Sequence, residues 1–187
     1  GDADFALSAT SSNTSAVTYT SSDSTVATIT GSMVTIVGAG TATLTMSQVT
    51  DANYLSATVT ATLTVAKATP LINFADIFKS LDDGVSSFAL SATSSNTSAF
   101  TYTSSDPSVG TITGNTVTVT GPGIAILTLT QTDDANYLSA TATATLTVGR
   151  ATPIVTFADV TKTYGDADFA LSATSSNTSA VTYTSSD

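Results

Sequence analysis

The sequence predicts an all-β chain made of repeated antiparallel sandwiches, and three observations carry this prediction. Apolar and polar residues alternate through residues 114–148, with glycine and aspartate turns between the runs. Period two is the spacing of a strand that buries one face, and the same block recurs at residues 31–65. The segment FALSATSSNTSA starts at Phe5, Phe88 and Phe169, at spacings of 83 and 81 residues. A unit of that length is too long for one coil of a solenoid and has the size of a small sandwich domain.

Within the unit that is complete in this sequence we predict about seven strands. Valine, isoleucine and threonine dominate the alternating runs, and these residues favour strands. Turn residues such as Gly114-Asn115 separate the runs. Seven short strands at intervals of about 8–12 residues are the pattern of an immunoglobulin-like sandwich. The predicted strands are 71–78, 88–93, 98–104, 109–113, 115–120, 124–132 and 139–148.

The linker sequences divide the chain into three repeats. KATP at residues 67–70 recurs as RATP at residues 150–153, and a proline after a strand interrupts the ladder and stiffens the connection. We therefore expect repeat 1 at residues 1–66, without its first strand, and a complete repeat 2 at residues 67–149. Residues 150–187 are expected to form the N-terminal part of repeat 3. Short linkers of this kind predict a fixed tilt between neighbours.

Composition excludes several classes of function. The net charge is −10 with only four basic residues, which argues against nucleic acid and anionic membrane surfaces as partners. Histidine and cysteine are absent, so histidine acid/base chemistry, a cysteine nucleophile and a serine–histidine triad cannot be assembled. No apolar run reaches the ~20 residues of a membrane helix. We predict no catalytic residues, no cofactor and no membrane insertion.

Aspartates provide the weak metal candidates of the chain. Asp166 and Asp168 repeat the spacing of Asp2 and Asp4, and calcium takes six to eight oxygen ligands that clustered carboxylates can supply. The competing interpretation is that these are solvated turn residues, which we favour because no glycine-punctuated loop of ligand spacing follows. Calcium remains an alternative to the expectation of no metal.

A second aspartate motif precedes the last strand of each repeat. DANY at residues 51–54 recurs at residues 134–137. We predict an Asx turn followed by a tyrosine whose hydroxyl bonds to backbone, in preference to a ligand-binding loop. The three Asn-x-Ser sequons, at Asn13, Asn96 and Asn177, are interpreted as accidental.

Two segments carry a family resemblance. KTYGDADFALSA, from Lys162 to Ala173, resembles the Tyr-Gly-Asp start of bacterial Ig-like domains of the YGX (MBG) type. The segment from Tyr19 to Tyr54 resembles the related bacterial Ig-like group-2 pattern. The resemblance implies tandem domains in large secreted surface proteins, notably adhesins and gliding-motility proteins of flavobacteria and their relatives. Residues 79–84 depart from the pattern, because KSLDDG replaces the Tyr-Gly-Asp signature and adds two residues.

The resulting functional prediction is a structural stalk or spacer repeat at the bacterial cell surface or in an extracellular filament. The alternative is a carbohydrate-binding or calcium-stiffened adhesive module. A carbohydrate site needs an exposed aromatic platform, whereas the chain has no tryptophan and most of its aromatic residues stand at core-like alternating positions. The expected partners are neighbouring copies of the repeat, joined head to tail by strand complementation between the incomplete repeats at the two ends, which would give a filament.

Overall fold

A computed structural model describes residues 2–186, and their regular structure is almost entirely β. Within residues 2–66 repeat 1 has six strands, and the last two form a long hairpin. The strands of repeat 1 are β1 Phe5–Ala6, β2 Val17–Ser21, β3 Ala27–Thr30, β4 Met33–Ile36, β5 Gly40–Gln48 and β6 Ala57–Val65. Those of repeat 2 are β7 Ile72–Asn73, β8 Ile77–Ser80, β9 Ser87–Ala89, β10 Thr93–Ser94, β11 Phe100–Ser104, β12 Gly110–Thr113, β13 Thr116–Val119, β14 Gly123–Gln131 and β15 Ala140–Gly149. The third part of the chain has β16 Val155–Phe157 and β17 Ala173–Ser175, and one 3-10 turn, Leu81–Asp83, lies between β8 and β9.

Repeat 2 is a sandwich of two main sheets. One sheet has the order β11-β14-β15-β8 and the other the order β12-β13-β9, and every pair is antiparallel except the β15–β8 pair, which is parallel. Val117 from the second sheet packs with Leu127 and Leu146 from the first, and all three are fully buried. The alternating side chains of both sheets thus meet in one core, which confirms the predicted all-β, immunoglobulin-like architecture.

The first two predicted strands of repeat 2 are each divided in the structure. Predicted strand 71–78 becomes β7, which pairs with β10, and β8, which pairs with β15 in another sheet. The division occurs around Asp76, whose carboxylate accepts a hydrogen bond from the backbone N–H of Thr145 at 2.7 Å. In the same way predicted strand 88–93 becomes β9 and β10. The chain therefore changes sheets within these segments, and repeat 2 has nine strands instead of the seven predicted.

Repeat 1 has the same sheet order where its strands correspond. β2-β5-β6 matches β11-β14-β15, and β1-β4-β3 matches β9-β13-β12. The difference lies at β6, which is mostly exposed, whereas alternate residues of β15 are buried next to β8. Within residues 2–186 every strand pair joins strands of one predicted repeat, β16 pairing with β17. The exact domain boundaries stay a prediction.

Candidate functional site

In repeat 2 the sequence SSNTS occupies residues 94–98. A buried asparagine and a buried glutamine fasten this SSNTS loop to the end of β14. Asn96 donates from Nδ2 to the Thr132 carbonyl at 2.8 Å, and its Oδ1 accepts from the Ser98 N–H at 2.7 Å. Gln131 donates from Nε2 to the carbonyls of Asn96 and Ser98, at 3.0 and 2.6 Å. Asn96 is only 4% exposed and Gln131 only 1%. We call these two side chains and the loop that they hold the polar clamp.

The polar clamp recurs in repeat 1. Asn13 donates to the Val49 carbonyl at 2.8 Å, and Gln48 donates to the carbonyls of Asn13 and Ser15. Because both asparagine amides are buried and engaged, the sequons at Asn13 and Asn96 are structural features of the folded repeats and not free acceptor sites. The Oε1 atoms of Gln48 and Gln131 are buried and have no hydrogen-bond partner within residues 2–186.

The DANY motif forms the predicted Asx turn in both repeats. In repeat 2 the Oδ1 atom of Asp134 accepts from the N–H groups of Asn136 and Tyr137 at 2.8 and 2.7 Å, and its Oδ2 accepts from Thr97. Asp51 accepts the equivalent bonds in repeat 1. These N–H groups hold the pKa of Asp134 below its ordinary value of 3.8, and the N–H of Asn136 makes the largest contribution.

The prediction for the tyrosine of this motif differs from what is found. Neither Tyr54 nor Tyr137 has a hydrogen bond from its hydroxyl in the described part of the chain. Tyr54 is 46% exposed, and Tyr137 is partly buried beside the linker. The hydrogen bonds that hold this motif in place are therefore those that the aspartate accepts in the Asx turn.

The linker between the first two repeats is bonded into repeat 2. Ala68 donates its N–H to the Asn136 carbonyl and accepts at its own carbonyl from the N–H of Leu138, both at 2.8 Å. Lys67 forms an ion pair with Asp133 at 2.6 Å. The hydrogen bond from Lys67, and secondly its positive charge, lower the pKa of Asp133. Pro70 is buried. The four residues KATP thus belong structurally to the repeat that they precede.

Within residues 2–186, side-chain hydrogen bonds join consecutive repeats at two places. The Oδ1 atom of Asn136 accepts a hydrogen bond at 2.9 Å from the N–H of Ala39 in repeat 1. Further along the chain, Asp82 accepts from the N–H and the hydroxyl of Thr152 at 2.9 to 3.1 Å. Asp82 lies in the added KSLDDG loop, which Ser80 and Asp83 close as a capping box. The loop at residues 79–84, where the Tyr-Gly-Asp of residues 164–166 is absent, therefore contacts the start of the third part of the chain.

The four aspartates considered as calcium ligands do not converge. Asp4 accepts from the Thr35 hydroxyl at 2.9 Å, and Asp166 accepts from the Thr163 N–H at 2.9 Å, so both act as local turn or strand partners. Asp2 and Asp168 are exposed. No group of three acidic, histidine or cysteine side chains that could hold a metal occurs within residues 2–186. Within residues 2–186 this geometry provides no set of ligands for calcium.

The aromatic side chains of repeat 2 mostly pack inward, as alternation predicts. Phe74 and Tyr102 have ring centroids 5.8 Å apart, and Tyr102 also meets Phe100 at 6.1 Å. Phe78, on the edge strand β8, is different because it is 75% exposed. Residues 2–186 contain no helix with the length and apolar character needed to cross a membrane.

Comparison with known proteins finds solved structures with weak structural similarity but no matching sequence family. No family model matches the sequence, and no curated protein matches it. Domains 4–9 of the surface layer protein SbsC superpose with a TM-score of 0.36 at 15% identity, covering 82% of this chain and 25% of that one. Human protocadherin-24 EC1-2 gives 0.32 at 12% identity, with coverages of 78% and 87%. A C-terminal fragment of intimin, in complex with the intimin-binding domain of its translocated receptor, gives 0.29 at 15%, with coverages of 74% and 52%.

The chain spans about a quarter of the surface-layer structure that it resembles. Since all three TM-scores lie below 0.5, the fold assignment rests on the strand order and core of this chain itself.

Sequence reasoning missed the polar clamp and both contacts between repeats. A signal for the clamp was present, because Gln48 and Gln131 each follow the asparagine of SSNTS by 35 residues. The contact between Asn136 and Ala39 spans 97 residues and had no comparable signal.

Proposed function

We propose that this chain is a structural spacer, a run of Ig-like repeats in the stalk of a large secreted bacterial adhesin or extracellular filament. In this role the repeats hold a distal binding region away from the cell and have no catalytic activity. The single observation that supports the role most directly is the linker, because Ala68 is hydrogen-bonded on both sides to residues 136–138 of repeat 2. A linker fixed in this way leaves few free dihedral angles between neighbouring repeats.

The dimensions and surface of the repeat suit such a spacer. The nine-residue strand β14 gives each repeat a length of about 30 Å at ~3.3 Å per residue, so reach grows with every added copy. The net charge of −10 disfavours association between stalks and maintains solubility. The resemblance to bacterial Ig-like domains of the YGX (MBG) type supports a location at the cell surface or outside the cell.

Small-angle X-ray scattering tests the proposed role. We expect the scattering of the 187-residue chain to fit a single arrangement of repeats 1 and 2. The matched control carries a short Gly-Ser insertion between Ala66 and Lys67, which leaves the bonds of Ala68 within repeat 2 and should give the scattering of a flexible pair. If the unmodified chain proves as flexible as the insertion variant, the spacer role loses its support.

We also propose that a second copy of the chain completes the open face of repeat 1. A cleft of about 270 Å³ there is lined by apolar residues of β5 and β6, together with Leu7 and Tyr19. In repeat 2 the equivalent tyrosine, Tyr102, packs against Phe74 from the first strand segment. Residues 153–163 repeat that segment, and their Phe157 remains 57% exposed although its ring centroid lies 5.7 Å from that of Tyr183 in the same part of the chain. Insertion of this segment from one copy into repeat 1 of the next would build a head-to-tail filament.

Sedimentation velocity tests this assembly. We expect the chain to associate as its concentration rises and the Phe157→Ala variant to associate less. A chain extended at its N-terminus by a copy of residues 67–80 should fill the cleft from within and stay monomeric. A monomeric unmodified chain at all concentrations would exclude the assembly and leave the spacer role untouched.

A further inference from the structure

The loop between β4 and β5 presents a single backbone donor to the neighbouring repeat. Its residues 37–39 and Gly40, the first residue of β5, read Val-Gly-Ala-Gly. The N–H groups of Val37 and Gly38 both bond to the Val26 carbonyl, at 2.9 and 3.3 Å, and so are used inside repeat 1. The N–H of Ala39 instead donates to Asn136 of repeat 2 at 2.9 Å.

Asn136 is held in position for this bond by repeat 2. Its own N–H is bonded to Asp134 in the Asx turn, and its carbonyl accepts from the linker at Ala68. A Cβ added at Gly38 would lie 2.7 Å from the Thr25 carbonyl oxygen of repeat 1 and 2.9 Å from the Asn136 Oδ1, so glycine there permits both the tight loop and the close approach of Asn136. Both partners are therefore arranged by their own repeats before they meet, which reduces the entropy lost on contact.

The corresponding loop of repeat 2 lacks the donor. Its residues 120–123 read Thr-Gly-Pro-Gly, and the N–H groups of Thr120 and Gly121 bond to the Val109 carbonyl as in repeat 1. Pro122 occupies the position of Ala39 and has no N–H. At the following junction the bonds between repeats come from Asp82 and Thr152.

We propose that the loop between β4 and β5 and the asparagine of the DANY motif form a junction lock whose presence is encoded by one residue. A repeat with Gly-Ala-Gly in this loop binds the asparagine of the repeat that follows, and a repeat with Gly-Pro-Gly does not. Repeats 1 and 2 are therefore locked, whereas the repeat after repeat 2 is held through the KSLDDG loop. This inference deepens the spacer role and rests on it, because it assigns the stiffness of each junction to particular residues.

Double electron–electron resonance between repeats 1 and 2 tests the lock. The chain has no cysteine, so spin labels placed at the exposed Thr28 and Thr111 through Thr→Cys substitutions report one distance distribution. Loss of one hydrogen bond should shift the ratio of locked to open junctions by about 2- to 12-fold. We expect the distribution to be narrow in the parent and broadened by Asn136→Ala.

Two further variants separate the lock from general damage. Ala39→Pro removes the N–H and fixes φ, and it should fold because Pro122 occupies the same position in repeat 2. It should broaden the distribution as Asn136→Ala does. Asn53→Ala changes the same turn in repeat 1 away from the junction, and it should leave the distribution narrow. A narrow distribution in both Asn136→Ala and Ala39→Pro would overturn the lock, as would equal broadening by Asn53→Ala. A broad distribution in the parent would instead contradict the spacer role.

Discussion

Replacing Asn96 by alanine should destabilise repeat 2 through the polar clamp. The substitution removes two hydrogen bonds, to the Thr132 carbonyl at 2.8 Å and from the Ser98 N–H at 2.7 Å, at a position that is 4% exposed. Each bond contributes about 0.5–1.5 kcal/mol, and the two backbone groups lose their partner in a partly buried place. We therefore expect the free energy of unfolding of repeat 2 to fall by about 2–3 kcal/mol.

Hydrogen exchange followed by mass spectrometry can measure this loss repeat by repeat. Where exchange is limited by opening, amides of residues 67–149 should exchange ~30- to 150-fold faster in the variant, whereas peptides of residues 2–66 should not change. The matched control is Asn177→Ala, in an identical motif, where the exposed side chain accepts a hydrogen bond from the Ser179 N–H at 2.9 Å. If Asn96→Ala accelerates the exchange of residues 67–149 no more than Asn177→Ala does, the polar clamp is not a stabilising feature.

Three other outcomes follow from the structure. Leu127→Ala should lower the free energy of unfolding of repeat 2 by about 2–5 kcal/mol because Leu127 is fully buried, and Ile126→Ala, at a position 43% exposed on the same strand, should cost much less by denaturant titration. The pKa values of Asp51 and Asp134 are lowered, mainly by backbone N–H groups, so the stability that they contribute is present above pH 3.8 and is lost as the pH falls below it. Thermal melts at decreasing pH should show this loss, and Asp134→Asn should reduce it. Calcium should leave the melting temperature unchanged, and a calcium-dependent rise would favour the calcium-stiffened alternative.

The layout of the strands could be predicted because it is a local property of the sequence. The alternation that ends at Val148 predicted strand 139–148, and β15 covers residues 140–149. The same reasoning gave one strand at residues 71–78, where the structure has two. Alternation records which face of a strand is apolar and not which sheet it joins, so it could not reveal the change of sheet at Asp76.

The contacts that join the repeats could not be predicted for a different reason. The bond between Ala39 and Asn136 uses a backbone N–H, which every residue except proline carries, so no residue type marks it. Asp82 belongs to a loop that occurs in one repeat, and comparison among repeats therefore offered no pattern for it. The Asx turn was predictable because Asp134 bonds to N–H groups only two and three positions away.

The parallel pairing of β8 with β15 determines how repeat 2 responds to a pulling force. Ala68 pairs with Tyr137, and Ile77 pairs with Leu146 in the same register, so the beginning and the end of the repeat run side by side in one direction. Tension applied through the two neighbours draws these segments in opposite directions along their own axes. The hydrogen bonds between them are then loaded in shear and must break together instead of one after another. Rupture of repeat 2 accordingly requires more force than peeling the same bonds apart from one end.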